Sequence, residues 1–155
     1  MKKNIVVILL VLLICIAAAA GIFLYNKEHK VTESKNEVKE LVKETATIED
    51  FKKKLDESEL EIDLEAENTE CDLIGASEGM SYTIDDALIQ VYKFDFNNSN
   101  ELTVSNLKLA QDEGKVIMPS FNNYEFKVVY NKGLILVNSE DHPDKDRIVE
   151  LFMSL

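Results

Sequence analysis

Asp95, Asn97, Ser99 and Glu101 stand at alternate positions, the spacing at which a loop offers oxygen ligands to calcium. They are the metal candidates of this chain. The match to the full calcium-loop pattern ends with them. Its sixth position is Asn100 rather than glycine, and its twelfth is Asn106 rather than glutamate. The competing reading is an Asn-rich turn over 96–100. Asp141, His142, Asp144 and Asp146 form a second group with ligand chemistry. A helix start explains them as well, since Ser139 or Asp141 can cap it, Pro143 suits its first turn and acids favour its N-terminus. Nucleophilic catalysis has little to draw on, because the two histidines, His29 and His142, lie far apart in the chain. Cys71 is flanked by Glu70 and Asp72, which disfavour a thiolate and leave it a small buried hydrophobe. Asp85-Asp86 is an acid pair whose side chains diverge in a turn. No Walker loop, G-x-G-x-x-G, H-E-x-x-H or C-x-x-C occurs. The residues thus point to no catalytic group and no cofactor.

Residues 5–25 form an uncharged apolar run without proline, preceded by Lys2 and Lys3. As a helix rising about 1.5 Å per residue, it reaches about 31 Å, the thickness of a hydrocarbon core. The reading adopted is a signal-anchor. Residues 1–4 form a cytoplasmic basic tip, Tyr25 lies at the interface, and the remainder is extracytoplasmic. Two alternatives stay open: cleavage after Ala20 at an A-x-A-like site, giving a secreted domain, and lipid attachment at Cys15.

The exported part carries 15 basic and 29 acidic residues, net −14. Such a surface repels nucleic acid and anionic polymers and suits a cation or a basic partner. No basic–aromatic interleaving suggests nucleic-acid binding. Cys15 and Cys71 are separated by the topology, so no disulfide framework is expected.

The elements that must position these groups follow from periodicity. Residues 26–46 read as a helical stalk with a narrow stripe of Val38, Leu41 and Val42. The domain then spans 47–155. Thr47 to Asp50 resembles a capping box, and Ile48, Phe51 and Leu55 line one face of a helix over 48–57. Next, Leu60, Ile62, Leu64 and Ala66 alternate with acids, predicting a strand whose apolar face enters the core. Carboxylates along the other face of that strand would lie about 7 Å apart, too far to share an ion unaided. Residues 71–76 suggest another short strand. Residues 80–84 and 87–95 suggest a hairpin turning at Asp85-Asp86. A helix over 103–113 ends at Gly114, and a strand over 116–118 ends at Pro119. A second hairpin, 124–130 with 134–138, closes over the three-residue loop Asn131-Lys132-Gly133. The run Leu134-Ile135-Leu136-Val137 is apolar on both faces and therefore interior. A last helix buries Ile148, Leu151 and Phe152. The expected class is α+β: an antiparallel sheet of about five strands with helices on one face.

The Lys2-Lys3 start with its apolar helix, the Tyr92-Lys93-Phe94-Asp95 strand end and the hairpin from Tyr130 to Val137 resemble those of small membrane-anchored extracytoplasmic proteins of Gram-positive (Clostridium-like) bacteria. The resemblance implies compartment and fold, and no functional residue carries over from it. The expected function is a single-pass, non-catalytic extracytoplasmic binding or interaction module. Its expected partners are the bilayer through 5–25 and a protein through the stalk or the domain. Two rivals remain. One is a minor pilin-like or envelope-assembly subunit, although no Gly-Phe processing site precedes the apolar run. The other is a small metal-dependent hydrolase, which requires converging carboxylates.

Overall fold

The first helix, α1 (Ile48–Asp56), begins where the capping box places it. The Asp50 N–H donates to Thr47 Oγ1 at 3.1 Å, and the Thr47 N–H donates to Asp50 Oδ2 at 2.8 Å, so two otherwise orphaned donors are satisfied reciprocally. Thr47→Ala is expected to cost about 1 kcal/mol in urea unfolding at neutral pH. The Thr47 hydroxyl holds the Asp50 carboxyl below its ordinary value of 3.8. Because the folded value is the lower one, this contribution is present above 3.8 and fades as the pH falls below it. The deficit of the variant should therefore narrow in acid.

The computed structural model describes residues 44–68, 70–97 and 100–155. The apolar run, Cys15, His29 and almost all of the stalk lie outside them. Among the described residues no helix is long and apolar enough to cross a membrane. After α1 come β1 (Ile62–Glu67), a 3-10 helix (Cys71–Ile74), β2 (Glu78–Ile84), β3 (Ala87–Lys93), α2 (Glu101–Glu113), β4 (Lys115–Met118), a second 3-10 helix (Pro119–Phe121), β5 (Tyr124–Asn131), β6 (Leu134–Val137) and α3 (Lys145–Met153). All strand pairs are antiparallel, in the order β1-β2-β3-β6-β5-β4. Two three-strand meanders thus meet at β3 and β6, with α2 as the long connection.

The fold class is α+β with an antiparallel sheet, as expected. Among the described residues the sheet has six strands rather than about five, and the helices lie on both faces rather than one. The reason is in β6, where all four residues are buried. Leu134 and Leu136 join Phe51, Leu55, Ile148 and Phe152 under α1 and α3. Ile135 and Val137 join Ile74, Leu107 and Ala110 under α2 and the first 3-10 helix. A strand apolar on both sides needs a cover on each.

Four local expectations are corrected. Residues 71–76 form no strand. Cys71 and Ile74 are both buried at a spacing of three, which one 3-10 turn satisfies, and Gly75 ends it at φ +76°. The β5–β6 turn has two residues, Lys132 and Gly133, because Asn131 pairs directly with Leu134. Both have positive φ, the backbone sense that matches strand twist in a tight hairpin. The last helix begins at Lys145, and neither Ser139 nor Asp141 caps it. The buried His142 organises that entry: Nδ1 accepts from the Asp144 N–H at 3.0 Å, so the proton sits on Nε2 and is donated to the Ile84 carbonyl at 3.0 Å.

The largest correction concerns β1. A bulge between Ile62 and Leu64 shifts the register. An extra residue reverses which face the following side chains take. Ile62 still packs on the α1 side, but Glu65 now pairs with the buried Tyr82 on that side. Leu64 turns to the opposite face, where it is 62% exposed. The apolar half of the alternation therefore does not enter the core beyond Ile62. As the sheet's edge, β1 carries its carboxylates where they oppose pairing with another chain.

Candidate functional site

The first 3-10 helix, the middle of the sheet and the β4–β5 connection enclose a groove of about 550 Å³, within the usual size of small-ligand sites. Leu73 and Ile74 line it from the 3-10 helix, with Glu70 just before them. Tyr92, Phe126 and Val137 line it from the sheet. Met118, Phe121 and Tyr124 line it from the far side, and Gln90 and Asn138 supply amide groups. Phe121 and Tyr124 are each 60% exposed. Tyr124 and Phe126, two apart on β5, stack with centroids 6.2 Å apart and planes at 23°. Burial pushes the Tyr92 phenol above its ordinary value.

Local sequence explains how these rings are held. Gly79 stands opposite Tyr92 in the β2–β3 ladder. A Cβ there would sit 2.7 Å from the ring, so glycine is what lets Tyr92 lie across β2. At Gly75, a Cβ would meet the Thr103 backbone nitrogen at 2.8 Å, and the Thr103 hydroxyl donates to the Gly75 carbonyl at 2.8 Å. This contact pins the 3-10 helix to α2. The buried Asn106 of α2 then ties both sides of the groove together. Its Nδ2 donates to the Ile74 and Ile117 carbonyls and its Oδ1 accepts from the Ile117 N–H, each at 2.9 Å.

The sheet face beside the groove is open. Leu64, Thr83 and Leu88 align across β1, β2 and β3, and Leu88 is 47% exposed. Leu88, Gln90 and Tyr92 alternate along β3, so this strip runs from the open corner into the groove.

The sequence-derived candidates do not assemble there. The Asp95 carboxylate accepts the Asn97 N–H at 2.8 Å, a turn contact. The Asn100 side chain caps α2 by accepting from the Thr103 N–H at 2.7 Å, and Glu101 is the first residue of that helix. Ser99 lies outside the described residues. Among the described residues no three His, Cys, Asp or Glu side chains group as metal ligands. Cys71 donates its thiol to the Asn68 carbonyl at 3.0 Å, and burial raises its pKa. The Asp141–Asp146 segment serves the helix entry described above.

A second groove, of about 540 Å³, runs between α1 and the β1–β2 edge. Its cations have partners: Lys52 bridges Glu65 at 2.9 Å and Asp56 at 3.2 Å, and Lys93 meets Glu78 at 3.0 Å. Beneath them, the buried Tyr82 hydroxyl makes no hydrogen bond among the described residues, and burial pushes its pKa up to about 12. Both of its lysines are thus engaged, and Tyr82 is its one aromatic lining residue among the described residues, so this groove offers a ligand fewer rings than the first.

Sequence reasoning missed the aromatic groove. Tyr124 and Phe126 alternate with Glu125 and Lys127, a pattern that reads as an ordinary core-facing strand. Nothing in it marks these rings as left uncovered. No family model, curated protein or solved structure matches the chain.

Proposed function

We propose that this chain is a single-pass, membrane-anchored extracytoplasmic binding module, non-catalytic, that holds its ligand in the aromatic groove. The observation that carries the reading is that groove: an apolar, ring-lined hollow in which Phe121 and Tyr124 are left mostly exposed beside two packed cores. The anchor is the run at 5–25. The chain enters the domain beside the β5–β6 turn, where the Ala46 N–H donates to the Lys132 carbonyl and Glu44 pairs with Lys132 at 2.9 Å. Tyr124 lies at the other end of β5, seven residues from Asn131, or about 23 Å at strand rise. Tethered this way, the domain carries its groove away from the entry point of the chain and therefore away from the bilayer.

The test uses the full chain in its own membranes. Ser120→Cys places a thiol on the exposed rim, and an impermeant maleimide should label it in intact cells while buried Cys71 stays unlabelled. A photo-crosslinking residue at Phe121 should capture a neighbour that the same residue at Lys53, on α1, does not. Labelling only after lysis would remove the extracytoplasmic assignment. Equal capture from both positions would remove the groove.

A further inference from the structure

We propose that the ligand of the groove is a cationic peptide segment, with a Lys or Arg side chain laid against the rings and its charge directed to Glu70. The inference rests on the groove being the binding site and adds what it selects.

Charge complementarity carries the argument. Residues 44–155 hold ten basic and 25 acidic side chains, net −15. Besides the Gln90 and Asn138 amides, one charged group lines the groove among the described residues, Glu70, and no described Lys or Arg does. Tyr92, Phe121, Tyr124 and Phe126 line the same groove, and Glu70 lies near enough to Tyr92 to help raise the pKa of its phenol. A cation set against aromatic faces is attracted by the ring quadrupoles, by about 0.5–1 kcal/mol at exposed sites and more when water is excluded. A neutral apolar ligand would use the rings and leave Glu70 partly desolvated without a partner.

The surroundings add to the field. The β2–β3 turn and the loop before α3 lie at the same end of the sheet as Asn138. There the Asp86 N–H donates to Asp63 Oδ2 at 3.4 Å, and the neighbouring Asp144 carboxyl raises the pKa of Asp85 above its ordinary value. Such acid crowding draws a cationic chain toward this end of the domain. The open strip of Leu64 and Leu88 leading to Tyr92 offers apolar contact to residues flanking the cation. A second copy of the chain is the wrong occupant, since two domains of net −15 repel each other. The edge strand β1 also carries Asp63, Glu65 and Glu67, which oppose pairing with the same edge of a second copy.

The test is a random dodecapeptide display library selected on the full chain in nanodiscs of neutral phosphatidylcholine. The same library is selected on the double variant Phe121→Ala/Tyr124→Ala. Both side chains are mostly exposed, so the variant should fold, and its thermal transition checks this. Peptides lost in the variant should be net positive and rich in Lys and Arg. One such peptide, made synthetically with a fluorescent label, should bind Glu70→Gln at least fivefold more weakly than the parent. It should also weaken severalfold between 0.05 and 0.5 M salt, as a charge-directed contact must. Groove-dependent peptides that prove neutral or acidic would overturn the cationic class and leave the groove standing as the site. A folded double variant that retains every peptide would overturn the peptide proposal; the crosslinking at Phe121 then decides separately whether the groove binds anything. A change of oligomeric state in the double variant would assign the groove to a second copy and overturn the proposal.

Discussion

Asn106→Leu is expected to destabilise the domain by roughly 4 kcal/mol and to weaken binding in a groove that Asn106 does not line. Leucine has nearly the same shape, so little is lost in packing. What is lost is the pairing of the buried Ile74 carbonyl and of the half-buried N–H and carbonyl of Ile117. A buried polar group left unpaired costs about 1–3 kcal/mol, and partial relaxation keeps the total below the sum of the three. Such a change is a large share of the 5–15 kcal/mol or so that holds a typical domain together. Ile74 lies in one wall of the groove, and Ile117 precedes Met118 in the other. The variant therefore frees the walls to move apart. Urea unfolding measures the first effect, and binding of a groove-selected peptide well below the unfolding midpoint measures the second. Asn106→Asp keeps the acceptor, sets a charge against two carbonyls and should be as damaging. A loss under 1 kcal/mol in Asn106→Leu would mean that water replaces the amide and that the clamp is not what spaces the walls.

Phe51→Ala is expected to cost about 3–5 kcal/mol, the range for a large buried aromatic cut to alanine. Phe51 is fully buried at the centre of the core on the α1 side. Its ring meets Phe152 edge-on at 5.4 Å and 83°, and Tyr82 at 6.1 Å and 73°. Such pairs contribute about 0.5–1.5 kcal/mol each beyond their area. For a domain of this size the melting temperature should fall by roughly 20 °C. Phe51→Leu fills much of the space and should lose far less. Since Phe51 belongs to the core on the other side of the sheet from the groove, peptide binding in the folded variant should remain near the parent value. The two substitutions thus separate stability from site geometry: both lower the unfolding midpoint, and only the Asn106 variant changes binding at temperatures where the protein is folded.

Much of this architecture was legible from local rules. Thr47 and Asp50 mark a helix start because the bonds of a capping box are made within four residues. Asp85-Asp86 marks a hairpin because two successive positive φ values favour short polar residues there. Gly114 ends α2 in the left-handed conformation for the same kind of reason. The interior position of Leu134 to Val137 follows from composition, since a run apolar on both faces has nowhere else to go.

The tertiary structure decided whatever depended on pairing at a distance. The alternation of Leu60, Ile62, Leu64 and Ala66 specifies a strand but not the bulge, because the bulge is a relation between β1 and β2. That one extra residue sends Leu64 outward and Glu65 over Tyr82. His142 reads as a loop residue or a ligand, and it becomes a buried lock only where Ile84, distant in sequence, presents its carbonyl. The groove is of the same kind. Tyr92, Phe121, Tyr124 and Phe126 are each ordinary strand or turn aromatics, and their exposure depends on where α2 and the first 3-10 helix stop covering the sheet. Apolar pattern determines which side chains seek a core; the reach of the covering elements determines which of them are left open to a partner.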